Sequence, residues 1–486
     1  MAVLIAACLS TLVVNANTSA VSILLPAISE DTGTSIQTLQ WAVTGYSLVG
    51  AAVIVTSGAL GDVFGRRLLF LLGIALFVAS CILIALSTTG AGVIIGRCIQ
   101  GASGATILAS GLSIISVASS GKEQTRAVAL WGAASAIGAA VGPLIGGVLV
   151  EITSWQGLFW LDAAVALICV PIALSGIEES KDPNRSRSID YLGTILVAAV
   201  LVPIIYGMTK ATDWGWISVE TFSMFALSAA AAIAFVQVEQ RVAAPLVDLA
   251  LLRNVTLVGS TIAILIGAGT INALGYLLSI YFQDGSVLGM SPLEAGLATL
   301  PMTIGLVAVT PFVTRLAVSL GTRQTISLGF IISGAGFVAL AFVQDSWEYL
   351  YFVIPIIAVA VGMGLSNGPA SAASTACVSA GQIGSASGIS NMARYVGSSV
   401  FVALAASIYA GVAQARVDDG KEVADALASG LAWSCAVLAV TCALGVGMGL
   451  IGRYRQRRPH PKNTAAAAAA HAHTVPIPGD EALSPA

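Results

Sequence analysis

The chain has 486 residues, of which 57% are hydrophobic and only 9% are charged. Soluble domains carry roughly 45–50% apolar and about 25% charged residues, so this composition excludes an ordinary soluble domain and indicates a membrane protein. The 21 basic residues nearly balance the 24 acidic ones, and we expect no nucleic-acid partner.

The cysteines and histidines predict neither a disulfide framework nor a metal cluster, and we expect no cofactor. The seven cysteines lie singly within apolar segments: Cys8, Cys81, Cys98, Cys169, Cys377, Cys435 and Cys442. The three histidines all lie in the C-terminal tail: His460, His471 and His473. No Ser-His-Asp set or Walker sequence is present, so an enzyme is not predicted.

Long apolar segments follow one another along the whole chain. A membrane-spanning helix needs about 20 mostly apolar residues. That length predicts fourteen spans, numbered here in chain order: 3–27, 39–60, 68–88, 91–117, 127–150, 156–176, 191–210, 219–238, 256–282, 295–314, 324–343, 348–370, 386–411 and 428–451. The first lacks the basic start of a signal peptide and is too long for one, so we interpret it as a helix.

Basic residues predict the orientation. An even number of spans puts both termini on one side, and sixteen basic residues lie there: Arg66, Arg67, Lys122, Arg126, Lys181, Arg185, Arg187, Arg241, Arg253, Arg315, Arg323, Arg453, Arg455, Arg457, Arg458 and Lys462. Lys210, Arg416 and Lys421 lie on the opposite side. By the positive-inside rule both termini are cytoplasmic, in a multi-pass protein of the cell membrane.

Two polar stretches divide the spans into groups of six, two and six. We predict an N-terminal half at 1–177, a loop with spans 7 and 8 and a surface segment at 178–254, a C-terminal half at 255–452, and a basic, disordered tail at 453–486. The end of the middle part, 239–254, has the pattern of a short surface helix. Two six-helix halves suit parallel repeats with a substrate site between them near the membrane midplane.

The stretch "GALGDVFGRRLL" connects spans 2 and 3. Its glycines permit a tight turn, and its aspartate can pair with either arginine. Such a charged clasp would hold one conformation closed; the alternative is a simple positive-inside anchor. The clasp residues are Gly58, Gly61, Asp62, Gly65, Arg66 and Arg67.

Spans 4 and 5 carry two further motifs. Arg97 lies inside span 4, where an arginine costs about 2.5–3.5 kcal/mol, so it should face a cavity or a partner unless it snorkels. Gln100 follows on the next turn. Span 5 carries glycines at a spacing of four, which give a smooth packing face beside a proline. These residues are Gly138, Gly142, Pro143, Gly146 and Gly147.

These motifs, with "LQWAVTGYSL", "LGMSPLEAGLATLP" and "ASGISNMARYVGSSVFVAL", resemble the fourteen-helix drug:proton antiporter branch of the major facilitator superfamily. The resemblance covers nearly the whole chain, and the "GAAVGPLIGG" motif is typical of exporters. It implies an all-α major facilitator fold and efflux of a drug or metabolite by alternating access in exchange for protons. Most members of the family are monomers, so the resemblance also implies a monomer. Many such proteins in actinobacteria export, and protect against, an antibiotic that the same organism makes.

One position departs from this pattern. Relatives carry an aspartate in the first span where this chain has Asn17, and an amide does not take up a proton near neutral pH. Asp162, well inside span 6 at about the depth of Arg97, is therefore the main candidate for proton coupling, with Glu151 at the outer end of span 5 as another. We hypothesise that Asp162 pairs with Arg97 in one state and is protonated in another. The alternative is an aspartate that faces outer water.

The charge balance also bears on the substrate. Two arginines within spans against one candidate carboxylate favour a neutral or anionic small molecule over a cation. Candidate cavity residues are Asn17, Gln40, Trp41, Tyr46, Arg97, Gln100, Asn272, Asn367, Asn391 and Arg394. The asparagines, Gln40, Trp41 and Tyr46 have the alternative of bonding helix to helix, and Arg394 that of snorkelling to the inner surface. A facilitator or uptake carrier without proton coupling, and a non-transporting sensor, remain alternatives.

Overall fold

The structure is a computed structural model that describes residues 2–118, 121–181, 190–242, 245–378 and 382–451. The tail at 453–486 and most of the loop after span 6 lie outside these ranges. The described helices are α1 (Ala2–Thr32), α2 (Ile36–Phe64), α3 (Arg66–Ala85), α4 (Gly90–Ala118), α5 (Gly121–Ile152), α6 (Gln156–Gly176), α7 (Tyr191–Trp214), α8 (Val219–Glu239), α9 (Val255–Gln283), α10 (Pro292–Ala298), α11 (Leu300–Leu320), α12 (Thr322–Leu340), α13 (Tyr349–Ala376), α14 (Ile383–Asp418) and α15 (Val423–Ile451).

Fourteen segments of the described chain are long and apolar enough to cross a membrane, with α10 and α11 together forming one, Pro292–Leu320. The predicted all-α membrane architecture is therefore confirmed. Several helices extend beyond the predicted spans; the first, for example, continues to Thr32. At the start of α2 a side-chain cap sets the helix end, because Ser35 accepts from the backbone N–H of Thr38.

The prediction of a surface helix at 239–254 was wrong. Among the described residues of this segment the only helical element is one 3-10 turn, Leu251–Arg253. Val247 and Leu251 are buried, and the Glu239 carboxylate accepts from the backbone N–H of Val247. The Glu239 bond and the two buried side chains hold the segment in place without the backbone hydrogen bonds of a continuous helix.

The helix pairing within α1–α6 recurs within α9–α15. The first helix packs against the fifth and sixth of its set: α1 on α5 and α6, and α9 on α14 and α15. The third packs against the fourth and sixth, as α3 on α4 and α6 and as α12 on α13 and α15. We call α1–α6 the N-terminal half and α9–α15 the C-terminal half. This repeated pairing is the arrangement that parallel repeats produce.

The halves are in contact at more than one depth, including the predicted outer side. There the Ser279 hydroxyl donates to the Ser22 carbonyl at 2.5 Å, and the Gln283 amide donates to the Ile23 carbonyl at 3.2 Å. At mid-depth Ser47 donates to Ser398 at 3.2 Å, joining α2 to α14. Helices α7 and α8 pack on each other, and α7 lies against both α2 and α14. The inserted pair thus covers the seam between the halves.

Candidate functional site

A buried polar network lies inside the N-terminal half, with Arg97 at its centre. Arg97 is 0% exposed, and its guanidinium donates to the Ala42 carbonyl at 2.9 Å and to the Gln100 side-chain oxygen at 2.5 Å. It also lies over the Tyr46 ring, 4.3 Å from the centroid. These contacts satisfy the arginine internally, so it does not snorkel to the surface.

Asn17 connects Arg97 to Asp162. Its side-chain carbonyl accepts from the Arg97 guanidinium at 2.5 Å, and its NH₂ donates to the Asp162 carboxylate at 2.6 Å. An amide can do both because it carries an acceptor and a donor on one planar group, whereas a carboxylate could only accept. The neutral side chain therefore joins a cation and an anion on different helices.

Asp162 is 4% exposed and lies on the inward face of α6. It does not face outer water, which removes that alternative. The expected direct Arg97–Asp162 ion pair is also absent from the described residues, because Asn17 stands between the two groups. The sequence placed both charges at one depth correctly but could not show that the amide of α1 would lie between them.

The network reaches two more helices. Gln100 donates to the Cys81 sulfur of α3 at 3.1 Å, and the Tyr46 ring lies 6.4 Å from the Tyr395 ring of α14. Tyr395 in turn packs close to Gly50, where a larger residue would collide with its ring. The buried charges are thus one aromatic side chain away from the seam between the halves. Cys81 and Tyr395 carried no distinctive signal in the sequence.

Asn17 does not line an open space, contrary to expectation. It is 0% exposed and points into the N-terminal half. On α1 the half-buried face contains Asn15, Ser19 and Ser22, and Ser22 contacts the C-terminal half. Asn15 donates to the Thr11 carbonyl of its own helix at 2.8 Å. The two asparagines do occupy different faces, but Asn15 is the one on the side of the opposite half.

The clasp motif forms one of the two ion pairs that the sequence allowed, together with the expected glycine turn. Asp62 pairs with Arg66 at 2.8 Å, and Gly65 has φ of +129°, which favours glycine. Glu179 accepts from the backbone N–H groups of Arg67 and Leu68, at 3.2 and 3.1 Å. Glu179 was missed because it lies in a polar loop with nothing to mark it.

The other parts of the clasp motif have different surroundings. The side chain of Arg67 donates to the Leu174 carbonyl at 2.9 Å. Gly61 packs near Arg66, whereas Gly58 has open space where a side chain would start. The described clasp contacts fix the α2–α3 turn against the end of α6, and none of them bridges the two halves.

The span 5 motif provides close packing on two sides. A side chain at Gly138 would collide with the Leu12 backbone, and one at Gly142 with the Ala16 carbonyl. At Gly146 a side chain would begin 3.2 Å from the Ala20 side chain. The glycine face therefore lets α5 lie against the backbone of α1, which confirms the predicted packing face.

The outer end of the motif contacts the opposite half. A side chain at Gly147 would begin 2.5 Å from the Pro292 carbonyl, and one at Gly296 2.7 Å from the Pro143 carbonyl. Glu151 is exposed and accepts from the Ser291 hydroxyl at 2.7 Å. Glu151 thus lies at the junction of α5 and α10, outside the buried network.

The other candidate cavity residues do not form one cluster. Gln40 is buried with its side-chain nitrogen unpartnered, and the Trp41 ring lies 6.3 Å from that of Tyr206 on α7. Asn272 is exposed although it lies mid-helix in α9, and it donates to the Ala268 carbonyl at 2.7 Å.

The C-terminal candidates lie along α13 and α14. Asn367 packs against Gly267 with its side-chain oxygen unpartnered, and Asn391 is half-buried. Arg394 is half-buried and donates to the Ser371 hydroxyl at 2.5 Å. Within the described residues no acidic side chain pairs with it. It is therefore a positive charge held by a neutral hydroxyl.

The family model described as Major Facilitator Superfamily matches residues 7–402. The chain belongs to the Major Facilitator Superfamily. Two relatives within it carry export or resistance names. The tetracenomycin C resistance and export protein of Streptomyces glaucescens is 29% identical over 412 residues, 82% of this chain and 74% of that protein. The multidrug resistance protein Stp of Mycobacterium tuberculosis is 29% identical over 398 residues, 80% of this chain and 72% of that protein.

Solved structures support the same fold for this superfamily member. The crystal structure of the peptide transporter POT with sulfate aligns with a TM-score of 0.67 at 14% identity. The alignment covers 93% of this chain and 95% of that one. The protein is accordingly a multi-pass membrane transporter of the superfamily, and its named relatives support an efflux role.

Proposed function

We propose that the protein exports a small organic compound across the cell membrane by alternating access, in exchange for protons, and thereby confers resistance or self-protection. It acts as a monomer with both termini in the cytoplasm. The observation that carries the proton exchange is the Asn17 bridge between Arg97 and Asp162. It places an ionisable group on the inner face of a membrane helix, next to an arginine that requires a counter-charge.

The proton acts by changing what Asp162 offers to Asn17. The ionised carboxylate accepts a charge-assisted bond, and the polarised amide in turn accepts from Arg97. Protonation removes that negative charge and leaves the Arg97 cation unbalanced in a buried site, which is costly. Arg97 lies on the Tyr46 ring, and Tyr46 packs near Tyr395. The change in charge therefore alters the packing between α2 and α14.

The substrate is neutral or anionic rather than cationic. Arg394 faces no described acidic partner, and its one described side-chain bond goes to a hydroxyl. A carboxylate or a phenolate can replace that hydroxyl with a stronger, charge-assisted bond. The described C-terminal half has no buried carboxylate that could hold a cation.

Transport into inside-out vesicles with an imposed pH gradient tests the proposal, with tetracenomycin C and ethidium as neutral and cationic probes. We expect uphill loading of tetracenomycin C by the native protein and loss of the gradient-driven part in Asp162→Asn. The exposed, ion-paired Asp213→Asn is the matched control and should transport normally. Full gradient-driven loading by Asp162→Asn would refute the role of Asp162.

Asn17→Asp separates coupling from substrate selection. Because Asn17 is enclosed in the N-terminal half, an aspartate there should alter the pH dependence of transport and leave ethidium excluded. A gain of ethidium transport would instead show that position 17 contacts the substrate.

A carrier on the same fold without proton coupling is the second candidate. It is favoured by the neutral Asn17 at the position where resembling exporters have an aspartate. Such a carrier would only equilibrate the probe in the vesicles, whatever the gradient. A protein that moves neither probe in any condition would contradict both candidates.

A further inference from the structure

Two carboxyl groups meet where the inserted helices α7 and α8 approach the predicted cytoplasmic side. Asp190 begins α7 and is 7% exposed; Glu239 ends α8 and is 4% exposed. One oxygen of each is occupied. Asp190 accepts from the backbone N–H of Gly193 at 2.6 Å, and Glu239 accepts from that of Val247 at 3.1 Å.

The second oxygen of each carboxyl is buried and has no hydrogen-bond donor. Both of these oxygens point at one place: a side chain at Gly193 would begin 2.5 Å from the Asp190 oxygen and 2.6 Å from the Glu239 oxygen. The two oxygens are therefore at most about 5 Å apart. Two buried carboxylates at such a distance do not both stay ionised, because their repulsion is not screened by water.

The charged groups around the pair do not neutralise it within the described residues. Arg241, Asp248 and Arg253 belong to the adjoining segment and form no ion pair with Asp190 or Glu239. Thr56 of α2 and Thr194 of α7 are the facing polar groups, and they bond each other at 2.5 Å. Arg185 and Arg187 lie outside the described residues and enter the test below.

We propose that Asp190 and Glu239 form a proton-binding site that holds one proton between their two free oxygens and so fastens the inserted helix pair. Glu239 carries the proton and donates it to the Asp190 carboxylate. A negative charge is disfavoured at the C-terminus of α8 and favoured at the N-terminus of α7, and Asp190 already accepts a backbone N–H. Gly193 leaves the space in which the two oxygens meet.

The site is separate from the transport network and has its own consequence. When the proton leaves, the two carboxylates repel each other, and both the first turn of α7 and the 245–253 segment lose an anchor. Thr194 lies in that turn and bonds Thr56 of α2. A rise in pH would therefore loosen the inserted pair from the seam that it covers.

Hydrogen–deuterium exchange of the full chain in lipid nanodiscs tests this, with rates corrected for intrinsic pH dependence. Formation of the Asp190–Glu239 contact binds one proton. The contact therefore stabilises the inserted helix pair at low pH, and this stabilisation is lost as pH rises. Exchange in 191–196 and 245–253 should increase about tenfold per pH unit once the shared proton leaves. Glu239→Gln should keep exchange low at every pH, because its amide donates permanently to Asp190.

Glu220→Gln, at the opposite end of α8, is the control and should behave as the native protein does. Infrared difference spectra should show a protonated carboxyl band that disappears in Glu239→Gln but persists in Asp162→Asn. If hydrogen–deuterium exchange in 191–196 and 245–253 of the native protein did not depend on pH, the proposal would be overturned. Dependence on added Na⁺ or Mg²⁺, or a stability that Arg185→Ala or Arg187→Ala abolishes, would also overturn it, since each would place a cation at the pair.

Discussion

The two halves share one pattern of helix pairing but bury different chemistry. The N-terminal half encloses an arginine, an aspartate and three side-chain amides: Arg97, Asp162, Asn17, Gln40 and Gln100. In the described C-terminal half, the buried side-chain hydroxyls belong to serines, threonines and tyrosines, and no charged residue is buried. The same fold therefore encloses a charge-balanced network in one half and uncharged hydroxyls in the other.

This difference indicates a division of tasks. A buried carboxylate can be neutralised by one proton, whereas a serine hydroxyl stays uncharged near neutral pH. We therefore expect the N-terminal half to respond to protons and the C-terminal half to supply a fixed surface, with Arg394 at its edge for the substrate. The following variants test that contrast.

The largest effect is expected from breaking the charged network. Arg97→Ala leaves Asp162 buried without a counter-charge, which should lower the free energy of unfolding by about 3–5 kcal/mol. Thermal unfolding in detergent measures it. The double variant Arg97→Met, Asp162→Leu should recover much of the stability but no gradient-driven transport. If the single and double variants were equally stable, the two charges would not be coupled.

A smaller loss should follow from filling the glycine face of α5. Gly138→Ala places a methyl group against the Leu12 backbone and should destabilise the protein by about 1–3 kcal/mol. Gly132→Ala on the same helix meets nothing within 4 Å and should be neutral or slightly stabilising. Equal thermal shifts for the two alanines would show that α1 can move away from α5.

Removing the side-chain cap of α3 should lower the free energy of unfolding by a still smaller amount. Glu179→Ala leaves the backbone N–H groups of Arg67 and Leu68 without their acceptor, a loss of about 0.5–2 kcal/mol in thermal unfolding. The adjacent, exposed Glu178→Ala is the control and should change nothing. A loss of equal size in both variants would point to loop charge rather than capping.

The smallest change in stability is expected in the C-terminal half. Arg394→Ala removes one bond to a hydroxyl, worth about 1 kcal/mol or less, yet should raise KM for a carboxylate-bearing probe by roughly tenfold. Arg394→Lys should retain part of the affinity. An unchanged KM would mean that the substrate bypasses this charge.

The sequence predicted the fold well because membrane spans depend on local composition. Fourteen spans and the glycine face of α5 follow from runs and spacings within single helices. The buried network could be predicted only in part. The depth of Arg97 and Asp162 follows from their positions along α4 and α6, but which side chain lies between them depends on how α1 rotates against the helices that surround it.

Interactions between distant segments were the ones that sequence reasoning missed. Glu179 caps a helix more than a hundred residues before it, and Tyr395 touches Tyr46 across the seam. No spacing within one helix encodes such pairs. The surface helix predicted at 239–254 failed for a related reason, since Glu239 bonds forward to Val247 and replaces the helical ladder there.

Under the proposed proton exchange, the bridging amide of Asn17 also bears on the route that protons would take. The resembling antiporters hold their acid on the first helix, whereas here the carboxylate lies 2.6 Å away on α6. Asp162 is six residues from the predicted outer end of α6, a depth of about 9 Å. Protons would therefore have a short path from the outside and a much longer one to the cytoplasm. Under the proposed proton exchange, the longer inner path would make proton release to the cytoplasm the slower step of the cycle.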